Sequence, residues 1–217
     1  MYSDVGAADL STELWVLFSA PLAWRDAESG ILRPIEMLNY KNEKDTLWQV
    51  FREGQRDIDL HFNYATTDQL RTAVTLGCKA LHFSGHGHPD WLNFEDGRSG
   101  LQIVTVERLE KLCSAGGIKL DFVFVSACYS RKAGEAFAAA GVKHVVCVSV
   151  DAQLLDTAAT IFTRAFYLAL VVGENVDKAF EIGQNAVAAS PSVPNSMKEQ
   201  DKFLLLPQDK PHDVPIF

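Results

Sequence analysis

Leu81-His82-Phe83-Ser84-Gly85-His86-Gly87-His88 and, some forty residues on, Phe122-Val123-Phe124-Val125-Ser126-Ala127-Cys128-Tyr129-Ser130 are the two stretches that decide the fold. Each opens as a short apolar run, and the second is almost purely apolar, as expected for a strand covered on both faces. Each then breaks into small residues, Gly85 and Gly87 in the first and Ser126 and Ala127 in the second. Two central parallel strands ending this way place a histidine and a cysteine at the same edge of a sheet. In open α/β sheets that edge, beyond the carboxyl ends of the strands, is where ligands bind.

Working outward, further strands are expected at 14–19, 58–64, 145–150 and 203–206, with the second of the two decisive runs at 122–126 and the first at 79–84. The 58–64 segment alternates apolar and polar residues and reads as half-exposed. Helical periodicity fills the gaps. The 39–55 segment carries Leu47, Val50 and Phe51 on one side, and 66–77 opens on a Thr-Thr-Asp cap and closes near Gly77. The 105–115 segment stops at Gly116-Gly117, and 132–140 ends before Gly141. The 156–172 segment is apolar on most sides and is expected to be buried, and 175–189 sets Val176, Phe180, Gly183 and Val187 on one stripe. One insertion, 91–104, reads as a β-hairpin around Asp96-Gly97. Strands alternating with helices predict an α/β fold with a mostly parallel, doubly wound central sheet. Residues 1–190 form the expected domain. The 191–217 tail holds five of the eight prolines, apart from its strand at 203–206, and is expected to wrap as coil or leave the domain.

Composition narrows the function classes. The chain has 217 residues, 47% apolar and 22% charged, which is ordinary for one globular domain. Twenty basic against 28 acidic residues give a net charge of −8, with no Lys/Arg cluster to grip a phosphate backbone, so no nucleic-acid partner is expected. The apolar run 14–24 is preceded by Asp4, Asp9 and Glu13, the wrong charge for a signal peptide, and no run reaches membrane-span length. Cys78, Cys113, Cys128 and Cys147 make no CxxC pair. That pattern predicts reduced thiols and a cytoplasmic, membrane-free protein, with one cysteine available for chemistry.

Cysteine is nucleophilic as thiolate and is usually accompanied by an acid–base partner, so Cys128 with His86 suggests acyl transfer. Gly85 and Gly87 let backbone approach a substrate and point an N–H at a developing oxyanion. The residues alone leave a plainer reading open: small residues at tight turns, with Cys128 as core filler. His82, His86 and His88 alternate and could join Cys128 around zinc, but the glycines break the strand and no carboxylate backs them, so no metal is expected. His82 reads better as a satisfied core histidine and His88 as a loop residue. Gly85-His86-Gly87 lacks the lysine and spacing of a phosphate loop. Trp91 and Phe94 either line the cleft or anchor the hairpin.

The decisive stretches together resemble the CHAT domain, a branch of the caspase-like cysteine peptidases related to separase. The resemblance runs on through the opening strand with its Ser19-Ala20-Pro21 ending, through the 156–173 helix with Phe166, Tyr167, Leu170 and Gly173, and through the closing strand before Pro207. It implies a three-layer α/β/α caspase-like (caspase-hemoglobinase) fold with the inserted hairpin. It also implies a His86–Cys128 dyad hydrolysing peptide bonds, with the backbone N–H groups of Gly87 and Cys128 as oxyanion hole and no cofactor. In separase-like members an acidic wall reads Arg or Lys, which puts Asp156, or Asp151 at the end of the fifth strand, beside a basic substrate residue. Asp156 as a simple helix cap is the competing reading. The chain departs from the family pattern in carrying Val150-Asp151-Ala152-Gln153 where a Trp-Pro pair is common.

The partners implied are a protein or peptide substrate and a regulatory helical-repeat domain or subunit. Such repeats commonly precede CHAT domains, so the chain is read as a free-standing peptidase or the end of a larger protein. Two other functions compete: a catalytically silent caspase-like interaction module, and a small-molecule-binding α/β domain.

Overall fold

The computed structural model describes residues 13–115, 117, 119–149 and 154–217. In chain order the strands are β1 (Glu13–Phe18), β2 (Ala23–Arg25), β3 (Leu32–Pro34), β4 (Asp59–Tyr64), β5 (Ala80–Ser84), β6 (Gly87–His88), β7 (Trp91–Glu95), β8 (Leu101–Thr105), β9 (Phe122–Ser126), β10 (His144–Val148) and β11 (Phe203–Leu206). The helices are α1 (Tyr40–Glu53), α2 (Thr67–Leu76), α3 (Val106–Ser114), α4 (Arg131–Ala139), α5 (Asp156–Val171), α6 (Val176–Ala188) and α7 (Ser196–Gln200). Among the described residues no helix is long and apolar enough to cross a membrane.

The central sheet has the order β11-β10-β9-β5-β1-β4, parallel throughout except for β11. Its inner strands β1, β5, β9 and β10 bury both faces, which is why they are apolar with little alternation, whereas the edge strand β4 alternates and is half-exposed. Leu17, Leu81, Val123 and Val145 face one core with α2, α3 and α4. Leu14, Val16, Phe122, Phe124 and Val146 face the other with α1, α5 and α6. The result is the expected three-layer sandwich. The second core is aromatic: Phe162 stacks on Phe203 with centroids 3.9 Å apart, and Phe124 meets Phe162 and Phe166 edge-on. Each ring fully buried there contributes about 1.5–3 kcal/mol. α5 is buried on most sides, as its sequence predicts, because α6 closes onto it, and Asp156 and Arg164 stay exposed. A Cβ at Gly183 would stand 2.8 Å from the Phe162 ring, so only glycine permits that approach.

The 91–104 hairpin forms as β7–β8, joined by the short β6 into a second sheet. Its Phe94 is fully buried and packs on Phe83 at 5.1 Å, an anchoring role. Trp91 stacks on His88. A third pairing, β2–β3, has no counterpart in the sequence reading. Each strand spans three largely exposed residues, so no burial pattern announces it. The Pro-rich segment returns to the domain through β11, which caps the sheet beside β10. Beyond β11, His212 is buried against His144, and the Val214 carbonyl accepts the Val176 N–H. β10, expected over 145–150, stops at Val148. Val150 and Asp151 lie outside the described residues, and with them one of the two expected acidic positions.

Candidate active site

Register places the two decisive strand ends side by side. β5 and β9 run parallel with Ser84 opposite Ser126, and the Gly85 N–H donates to the Ser126 carbonyl at 3.2 Å. His86 and Cys128 each follow two residues beyond that matched pair. A cleft of about 680 Å³ opens there, lined by His86, Gly87 and Cys128, by Asp156 on α5, and by Glu43 on α1. Four of the five site residues read from the sequence thus share one cleft. Cys128 contributes both its thiol and its backbone, and Asp151 is outside the described residues.

The glycines act by close approach. A Cβ at Gly87 would overlap the Cys128 carbonyl oxygen, so the chain leaving β5 lies directly on the cysteine's backbone. At Gly85 a Cβ would come 2.7 Å from that of Ser19. After Cys128 the chain turns sharply, with Tyr129 in the left-handed region at φ 57°. A non-glycine residue held there costs about 1–3 kcal/mol and persists only when its surroundings fix it. Ser130 supplies the fixing. Fully buried, its hydroxyl donates to the Val125 carbonyl at 3.3 Å and accepts the Val148 N–H at 3.0 Å.

The half-buried His86 ring is oriented by backbone. Its Nε2 lies 2.7 Å from the Glu36 carbonyl, which can only accept, so Nε2 carries the hydrogen and Nδ1 is the free basic nitrogen. The half-buried Cys128 Sγ accepts the Leu154 N–H at 3.4 Å. The other three thiols are buried, and burial pushes each up to about 12. Asp156 is exposed at the cleft's rim. The cap position of α5 is Leu155, and Asp156 is the first helical residue.

His82, four residues before His86, is fully buried with Nδ1 2.9 Å from the Tyr167 hydroxyl and Nε2 3.0 Å from Glu43. It is a satisfied core histidine. His88 turns away to Trp91. Among the described residues no group of three His, Cys, Asp or Glu side chains is arranged to hold a metal.

Glu43 is the functional-site residue that the sequence reading passed over. Its carboxylate accepts from His82, from the Ser84 hydroxyl at 2.5 Å and from Ser126. Burial pushes its carboxyl up, but the hydrogen bond and charge of His82 and the two hydroxyls outweigh burial and hold it below its usual range. A signal existed. Glu43 stands four residues before Leu47 and seven before Val50, in register with the buried stripe of α1. Nearby, the Tyr40 hydroxyl donates to the Ser19 carbonyl, and burial, followed by the Glu43 and Glu95 charges, raises its pKa. Glu95, itself buried, accepts the Ala20 N–H at 2.8 Å and pins the loop after β1.

Comparison with known proteins agrees with this architecture. A search of curated proteins gives no match. Among solved structures the chain is similar to the Arg-specific cysteine proteinase gingipain R, with a TM-score of 0.58 at 12% identity. That match covers 90% of this chain but 45% of the proteinase, so the chain spans under half of its neighbour's length. At such identity the likeness establishes the fold, which is the caspase-like one. The CHAT domain family matches residues 10–213. From Leu10 to Asp213, almost end to end, the chain belongs to the CHAT domain family.

Proposed function

We propose that this protein is a cysteine endopeptidase in which His86 and Cys128 form the dyad. The observation that carries the reading is their placement: one imidazole with a free Nδ1 and one accessible thiol, two residues beyond matched strand ends, in a single cleft. In the proposed cycle His86 Nδ1 takes the Cys128 proton and the thiolate attacks the scissile carbonyl. The backbone N–H groups of Gly87 and Cys128 stabilise the oxyanion. The imidazolium then protonates the leaving amine, and water, deprotonated by His86, releases the acyl group from sulfur. Neither metal nor cofactor enters this cycle.

The cleft's acidic lining supports cleavage after a basic residue in a protein or peptide substrate. Asp156 at the rim adds negative charge to the cleft, and Asp151 follows it as the second acidic position of this reading. The likeness to an Arg-specific proteinase of the same fold points the same way. A role in regulated proteolysis, under a helical-repeat partner, fits the family's usual company.

Incubating a mixed peptide library with the wild-type chain and with Cys128→Ala, read by mass spectrometry, tests the proposal. Cleavage by the wild type alone, clustered after arginine or lysine, is the expected result. Equal cleavage by both proteins overturns the nucleophile assignment.

A further inference from the structure

The deepest charged group in the cleft is Glu43, held by the buried His82 ring at 3.0 Å. Tyr167 is fully buried, and burial keeps its hydroxyl protonated. The phenol oxygen lies 2.9 Å from His82 Nδ1, and His82 Nε2–H donates to Glu43. Both ring nitrogens are thereby engaged. Ser84 and Ser126 donate neutral hydroxyls. Three donors thus hold the carboxylate in place. A carboxylate offers about four acceptor positions, so about one is left. Glu43 retains 19% side-chain exposure and lines the cleft. No lysine or arginine is found among the described lining residues, and Asp156 adds a second negative charge.

Distance favours one kind of occupant. Ser126 precedes Cys128 by two residues, so their Cα atoms are at most about 7 Å apart. A substrate carbonyl at the Cys128 sulfur therefore has the floor at Glu43 within reach of a long, extended side chain. The polar cleft residues Asn42 and Thr46 on α1 and Thr160 on α5 can take the remaining donors of a cationic head.

We infer that Glu43, rather than Asp156 at the rim, is the residue that selects a cationic side chain, arginine or lysine, immediately before the scissile bond. The inference rests on the peptidase reading for its substrate, yet the binding site itself can be tested without turnover. His82 and Tyr167 act as positioning residues that hold the carboxylate still, so that its free oxygen lobe costs little reorganisation when the cation arrives.

The test is calorimetric binding of two blocked peptides to the full chain carrying Cys128→Ala. One peptide ends in arginine, and the other in citrulline, its uncharged isostere. Lysine and norleucine form a second pair. Arginine is expected to bind about a hundredfold more tightly than citrulline, as for a buried charge partner. Glu43→Gln should abolish that preference, whereas Asp156→Asn should leave most of it. Thr46→Lys keeps the carboxylate and its three donors but sets an ammonium one turn away on α1. It should likewise erase the preference, and it covers the case in which Glu43→Gln fails to fold. Arginine preference that survives in a folded Glu43→Gln, or in Thr46→Lys, overturns the inference. So does equal binding of arginine and citrulline by the parent. Glu43-dependent binding without cleavage by the thiol-intact chain would sink the peptidase reading and leave the cation site standing. Cleavage without charge preference would do the reverse.

Discussion

His82 and His86 lie four residues apart on one run of chain and meet opposite fates. His82 is sealed, with both ring nitrogens bonded to side chains, Tyr167 and Glu43. His86 reaches the cleft with one nitrogen tied to a backbone carbonyl and the other free. The strand ends between them, so the same alternation that buries one ring delivers the other to solvent. The lesson is that a histidine's role here is decided by whether its second nitrogen has a partner. A ring with both valences filled orders its surroundings, whereas a ring with one open valence can move a proton.

The largest effect should separate the two at once. His86→Ala is expected to lower turnover by about 10²–10⁴-fold, with thermal stability close to wild type, because its loss breaks no buried network. A melting curve beside a peptidase assay measures both. His82→Ala should show the opposite balance. It strands the Tyr167 hydroxyl and the Glu43 charge, at a cost of about 3 kcal/mol in denaturant unfolding, from the desolvation penalties of the groups left unpaired. Equal effects of the two substitutions on stability would erase the contrast between the two rings. Tyr167→Phe removes only the hydroxyl bonded to His82 Nδ1 and should cost about 1–2 kcal/mol.

The smallest effect is a pH dependence. The folded pKa of Glu43 lies below its ordinary value of 4.5. Its contribution to stability is therefore complete above pH 4.5 and is lost as pH falls from there through the folded value. Glu43→Gln should flatten the acid limb of the stability curve in that window and leave its neutral limb parallel to wild type. An unaltered acid limb would show that the carboxylate gains nothing from His82 and the two serines.

What was legible in the sequence follows the same division. β5 and β9 were readable because both faces are buried and the residues show it. The small residues after them were readable as an edge where backbones crowd, as the fit of Gly87 against the Cys128 carbonyl illustrates. Glu43 was half-legible: its register with Leu47 and Val50 turns it toward the core, but on a helix with so many charges it looked like one more solvated residue. The Glu36 carbonyl and the Leu154 N–H left no trace, because a backbone atom that orients a side chain puts no constraint on residue type. β2 and β3 were invisible because they bury almost nothing. The proline-rich end was read as coil or departure apart from its strand, and proline does break helices. The composition could not show that His212 would find His144 across 68 residues of chain.

Alkylation kinetics test most directly whether Cys128 is an activated nucleophile. Wild type and His86→Ala would be treated with limiting iodoacetamide across neutral pH, with all four cysteines followed by peptide mass spectrometry. Modification is expected to be confined to Cys128, and to be about tenfold or more slower without His86. Uniform labelling of Cys78, Cys113, Cys128 and Cys147, or a Cys128 rate indifferent to His86, would contradict an activated Cys128.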